Sequence, residues 1–126
     1  LPKHSTIIEK ADEFLSADSM VCAICGATAA LANAGLLDKR LHTSNGIGYL
    51  EMVSPSYKGQ NFYVDEPSVA EQNLITASST GALLWAKQII ERLNVFRPDT
   101  LDAWYMYFST GEAQHFFTLM QSVSRQ

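Results

Sequence analysis

Met20-Val21-Cys22-Ala23-Ile24-Cys25-Gly26-Ala27-Thr28-Ala29-Ala30-Leu31-Ala32 is the stretch on which the reading of this chain turns. Its first part is short, apolar and partly β-branched, which predicts a buried strand over Met20–Ile24. Its second part is small and helix-forming, which predicts a helix opening at Gly26. A nucleophile at such a strand-to-helix turn needs small residues two positions to either side, because the backbone folds sharply there. Ala23 and Ala27 meet that need around Cys25. The turn would expose the sulfur and aim it at the first N–H groups of the helix. Those groups favour an anionic sulfur and can bind an oxyanion.

Cys22 and Cys25 also have the spacing of a redox or zinc pair. Side chains three apart on a strand point to opposite faces, whereas redox pairs sit in the first turn of a helix. Zinc would need further ligands, and His4, His42 and His115 are scattered without ligand spacing. Neither reading fits, so no metal and no cofactor is expected.

The chain has 126 residues, 47% of them hydrophobic, enough for a single domain with a real core. Its net charge of −4 gives no electrostatic footprint for nucleic acid. No apolar run approaches membrane-spanning length and no signal peptide opens the sequence. Two cysteines, one of them a working thiol, fit a reducing cytoplasm better than a disulfide framework.

Outward from the cysteine, Thr6-Ile7-Ile8-Glu9 has the spacing of a capping box for a helix that ends near Ser16–Ser19. The helix after Cys25 should run to about Ala34, stopped by Gly35. Leu41-His42-Thr43-Ser44 reads as extended. Phe62–Val64 and Ser68–Ala70 straddle Asp65-Glu66-Pro67 like a hairpin, with a second turn at Gln72-Asn73. Leu74–Ala77 is an apolar strand, and the helix after Gly81 carries its stripe on Ala82, Leu83, Ala86, Ile89, Ile90 and Leu93. Asp99 or Thr100 should cap a helix through Phe108, and Ala113–Met120 a last one. Alternating strands and helices predict an α/β fold with a mainly parallel sheet over one domain, 1–126, with a helical extension from about 99. A buried parallel strand at Met20–Ile24 needs partners on both edges. A segment preceding Leu1, or a second chain, is expected to supply one.

With these elements placed, Val21 to Asp38 resembles the nucleophile segment of the ThiJ/PfpI family, in the class I glutamine amidotransferase-like superfamily. The family's run is A-I-C-x-G/A-x-x-x-L-A-x-A-G-L-L-D-G-R, and Asn73-Leu74-Ile75-Thr76-Ala77-Ser78 is similar to its later G-N-L-I-T-S/A strand. The resemblance covers about Met20 to Leu93. It implies a flavodoxin-like three-layer sandwich whose N-terminal part is absent from this sequence. It also implies that Cys25 is the reactive cysteine, that the Gly26 N–H helps form the oxyanion pocket, and that homodimers form.

Two departures accompany it. Where many members carry a partnering histidine, counting without gaps from the cysteine, this chain has Asn45, and the residue after the cysteine is Gly26 rather than histidine. Asparagine cannot act as a base but can orient a substrate carbonyl. His42 should face away from Thr43 and Asn45 by strand parity, and with His4 and His115 is expected to be a structural or surface histidine. The His-Pro-Glu segment of true glutamine amidotransferases is missing, and the acidic partner of the cysteine in many relatives belongs to the absent part.

Two functions fit these residues. One is a cysteine-dependent hydrolase or lyase of glyoxalase, deglycase or peptidase type, acting on a small carbonyl or amide substrate. The other is a non-enzymatic redox-sensing or chaperone-like stress protein using the same cysteine. In the aromatic C-terminal segment, Trp104 and Phe108 are expected to pack within the subunit, while Tyr105, Tyr107, Phe116, Phe117, Leu119 and Met120 contribute to a symmetric contact.

Overall fold

A helix over Ser5–Ser16 (α1) is the first element of the computed structural model, which describes residues 5–124. Ser5 and Thr6 both lie inside α1, so the capping box read at Thr6 is not its N-terminus. Val21–Ile24 forms β1, and Gly26–Asn33 forms α2 directly after it. Gly35, at φ +79°, ends α2 as its sequence position predicts. Leu36 N–H reaches back to the Leu31 carbonyl at 3.0 Å, and Gly35 N–H to that of Ala32 at 3.1 Å. These bonds satisfy carbonyls that a helix end otherwise leaves open.

A short helix, Tyr49–Val53 (α3), and a single 3-10 turn at Gln60–Phe62 precede the hairpin. That hairpin is not at Asp65-Glu66-Pro67. Its strands are Ser68–Glu71 (β2) and Leu74–Ala77 (β3), joined antiparallel across Gln72-Asn73. The segment before Asp65 turns elsewhere, where His42 and Tyr63 form an isolated parallel bridge. β1 pairs parallel with β3 in the register Val21↔Leu74 to Ile24↔Ala77, giving the order β1-β3-β2. β3 is thus the middle strand, and all four of its residues are buried. Among the described residues, β1 has a strand on one edge only.

The helix Ala82–Leu93 (α4) follows, then Pro98–Thr110 (α5) and Ala113–Ser124 (α6). Pro98, with its fixed φ, occupies the first turn of α5 and Arg97 is its N-cap, so neither Asp99 nor Thr100 is the cap. The chain divides into two compact units, Leu1–Trp85 and Ala86–Gln126.

In the first unit, α1 and α2 pack on β1 over a core of Leu15, Ala23, Leu31, Leu37, Leu50 and Leu74. Leu37, Leu50 and Leu74 are fully buried, and truncating one to alanine costs about 2–5 kcal/mol. In the second unit, α5 and α6 form a helical hairpin with Leu101, Ala103 and Leu119 inside it. A buried hydroxyl pair, Thr100 and Ser122, also joins the two helices. Trp104, Tyr107, Phe108, Phe116 and Phe117 form a chain of ring contacts. Phe108, expected inside, is 58% exposed, and Phe117 is 62% exposed.

Candidate functional site

Cys25 stands between the last residue of β1 and the first of α2, at φ +57° and ψ −125°. A residue with a Cβ avoids this backbone region, and holding it there costs about 1–3 kcal/mol. The neighbours hold it from both sides. Cys25 N–H extends the β1–β3 ladder by donating to the Ala77 carbonyl at 3.0 Å. Its own carbonyl accepts from Thr28 twice, from the backbone N–H at 3.1 Å and the hydroxyl at 2.6 Å. The strained, part-exposed turn read from the sequence is present.

Asn45 lies at the sulfur. Its Nδ2 donates to Cys25 Sγ at 3.5 Å, while its Oδ1 accepts from the Ser79 backbone N–H at 2.8 Å. Loop 42–46 reaches this point on several tethers. Thr43 N–H donates to Thr76 Oγ1 and Thr43 Oγ1 donates to the Glu66 carbonyl, each at 2.9 Å. Ser44 Oγ and Thr28 Oγ1 are 2.6 Å apart and both buried. Tyr63 OH accepts from Gly46 N–H at 3.1 Å and donates to the Ser44 carbonyl at 3.4 Å. The sequence pattern pointed to Cys25, Gly26 and Asn45. It did not point to Thr28, Ser44 or Ser79, which read there as small helix or loop residues.

His42 faces away from the sulfur. Its Nδ1 is 2.6 Å from the Arg40 carbonyl and its Nε2 is 2.7 Å from Tyr57 OH. The ring is fully buried and meets Tyr57 and Tyr63 edge-on. Burial holds His42 below the ordinary histidine range, against the Arg40 carbonyl, Asp38 and Glu51, which pull the other way. His115 is 3.6 Å from Glu112 within the second unit, and His4 lies outside the described residues. Cys22 and Cys25 are both free thiols, and burial pushes the Cys22 thiol up. Among the described residues no group of three His, Cys, Asp or Glu side chains could hold a metal ion.

Gly26 borders a largely apolar depression of about 800 Å³ with Ile8, Ala29, Ala30 and Val53. A Cβ added at Gly26 would meet nothing within 4 Å, so the space where a side chain would stand is open. Asn45 borders a smaller and more polar depression of about 350 Å³, with Ser44, Asp65, Glu66 and Ser78 in its wall. No helix among the described residues is long and apolar enough to cross a membrane.

The profile of the DJ-1/PfpI family matches residues 1–92. Two Bacillus subtilis proteins are similar in sequence. The uncharacterized protease YoaZ is 43% identical over 97% of this chain and 58% of its own length. The uncharacterized protease YdeA is 32% identical over 76% of this chain and 48% of its own. Among solved structures, the thiJ/pfpI family protein from Bacillus anthracis superposes with a TM-score of 0.91 at 44% identity, covering 94% of this chain and 56% of that one. The DJ-1 superfamily protein Atu0886 from Agrobacterium tumefaciens gives 0.71 at 28% identity, over 80% and 53%. This chain therefore spans about half the length of the relatives it matches.

Proposed function

Because the chain belongs to the DJ-1/PfpI family, we propose that it carries the nucleophile of a cysteine-dependent hydrolase or lyase acting on a small carbonyl or amide compound. Cys25 is the nucleophile, the Gly26 N–H is an oxyanion donor, and Asn45 orients substrate. One observation carries this reading most. The chain holds a non-glycine residue in a left-handed turn at the head of a helix, and that residue is the cysteine. Strain of that kind concentrates at functional sites.

The sulfur, as its anion, adds to the carbonyl carbon. An S–C bond forms and the carbonyl π pair moves onto oxygen, where the Gly26 N–H donates to it. With an aldehyde or ketone, a proton from water completes a hemithioacetal. With an amide, the oxyanion collapses, the C–N bond breaks and the departing amine takes a proton from water. A second water then hydrolyses the thioester and returns the thiol. Asn45 moves no proton in either course, since a neutral amide only donates and accepts hydrogen bonds. The protease names of the relatives support testing peptide and amide substrates first. A cytoplasmic homodimer belongs to the same reading, as does completion of the open β1 edge by a segment preceding Leu1 or by a second chain.

A second reading is favoured by a different observation: both ring nitrogens of His42 are engaged away from the sulfur. A thiol without a base partner suits a redox sensor or chaperone-like stress protein, with Cys25 oxidised to its sulfenic acid by a peroxide. The deciding experiment compares turnover of methylglyoxal and of peptide amides by the protein and by Cys25→Ser. Turnover lost in Cys25→Ser supports the enzyme. No turnover of either class, with a sulfenic acid trapped at Cys25 under dilute peroxide, supports the sensor.

A further inference from the structure

We propose that Thr28 and Ser44 are positioning residues that, with the Ser79 backbone N–H, commit the Asn45 amide to face the Cys25 sulfur as a donor. The inference rests on the roles given above to Cys25 and Asn45. An amide group can be turned either way, and here Ser79 decides it. A backbone N–H can only donate, so the oxygen of Asn45 must face Ser79 at 2.8 Å, and the NH₂ end faces the sulfur. The opposite setting would place donor against donor at Ser79 and oxygen against sulfur at Cys25.

The backbone of Asn45 has no regular element to hold it. Gly46 and Gly48 follow at φ +131° and +93°, and Ile47 between them is 79% exposed. Tyr63 OH brackets Asn45 through Gly46 N–H and the Ser44 carbonyl, and the Ser44 hydroxyl adds an anchor to α2. Thr28 has one hydroxyl hydrogen, and the Cys25 carbonyl at 2.6 Å can only accept it. Thr28 Oγ1 is therefore the acceptor in its 2.6 Å contact with Ser44, and the relay runs from Ser44 to Thr28 to the Cys25 carbonyl. A threonine bonding back to a carbonyl three residues earlier is common inside helices and by itself means little. The second bond, to a loop sixteen residues away, ties the residue before Asn45 to the peptide of the nucleophile.

The test reads alkylation of Cys25 and Cys22 by iodoacetamide in the same molecule, by mass spectrometry at pH 7. Cys22, in β1, is the internal control, because general loosening of the fold would speed its labelling. Thr28→Val and Ser44→Ala should each slow Cys25 by about fivefold with Cys22 unchanged, and Thr28→Ser should restore the parent rate. In combination with Asn45→Ala, Thr28→Val should add no further slowing, since both act through one contact. Additive losses, faster Cys22 labelling, or an unaltered Cys25 rate in Thr28→Val would each overturn the positioning role. If Thr28→Val does not fold, Ser44→Ala carries the same test. The Asn45→Ala arm separates this inference from the reading beneath it. If Asn45→Ala itself leaves Cys25 unaltered, the Asn45–sulfur contact does not act on the thiol and the inference fails, while the substrate-orienting role of Asn45 stands on the turnover experiment. If Asn45→Ala slows Cys25 and neither Thr28→Val nor Ser44→Ala does, only the inference fails.

Discussion

His42 and Tyr57 share a hydrogen bond of 2.7 Å whose direction is set from the far side of the imidazole. The Arg40 carbonyl can only accept, so Nδ1 carries the ring hydrogen and Nε2 accepts from the Tyr57 hydroxyl. The arrangement needs a neutral histidine and a protonated phenol. Both are found buried, and the bond pins the residues that follow α3 to loop 42–46.

The first prediction concerns pH. A histidine held below its ordinary value contributes stability that is present above about pH 6.5 and lost as pH falls further. Burial, then Glu51, Tyr63 and Asp38, push Tyr57 up to about 12. A raised group contributes stability that is full below its unfolded value of about 10 and disappears as pH rises through its folded one. Urea unfolding should show both limbs, and His42→Gln should flatten the acid one. Tyr57→Phe leaves Nε2 without its donor and should cost about 1–3 kcal/mol at pH 8. An acid limb unaltered in His42→Gln would refute the assignment.

A second prediction follows from Asn73, in the turn between β2 and β3. Its Nδ2 donates to the Ser19 carbonyl at 2.8 Å and the Leu15 carbonyl at 3.1 Å, closing the C-terminal end of α1. Asn73→Ala should lower unfolding stability by about 1–2 kcal/mol. Asn73→Asp should cost more, since it sets oxygens against carbonyls.

Gly81 supplies a third. A Cβ there would stand 2.1 Å from the Pro67 carbonyl oxygen and 2.7 Å from its carbon, both backbone atoms. Gly81→Ala should therefore cost about 2 kcal/mol or more. The Pro67 carbonyl also accepts from Ser78 N–H at 3.0 Å, next to Ser79, so Cys25 reactivity should change with it. Thermal melting and alkylation of the same sample check both.

Labelling provides the fourth. Burial pushes the Cys22 thiol up, and the thiolate is the reacting form. One equivalent of iodoacetamide at pH 7 should modify Cys25 in preference to Cys22 by about tenfold. Equal labelling of the two would remove the distinction between a structural and a working cysteine.

The last concerns Asn45→His, which places an imidazole at the position where the resemblance read from the sequence implies a histidine. Turnover of whichever substrate the parent protein accepts should rise by about tenfold or more, within the range general base catalysis supplies. An unaltered rate would mean that the loop does not bring position 45 into line with the sulfur.

Local physics explains what the sequence revealed and what it hid. The Cys25 turn could be read because small residues, a strand and a helix all agree there, and Gly35 because its left-handed φ suits glycine. The turn at Gln72-Asn73, where Gln72 takes φ +51°, could be read between two apolar runs, whereas Asp65-Glu66-Pro67 has turn chemistry but joins no pair of strands. Proline at position 67 marks a bend, not the partner of that bend. Thr28 and Ser44 were invisible because their bond joins residues far apart in sequence and follows no periodic pattern.

Both halves of the candidate site bond to one place, the exit of β3. Ala77 accepts the Cys25 N–H, and two residues on Ser79 donates to Asn45. The sulfur and its amide donor therefore share a reference at the end of one strand, in addition to the bond from Ser44 to Thr28. Breathing of the surrounding surface should carry the pair along together, leaving their separation nearly constant while their distance to everything else varies.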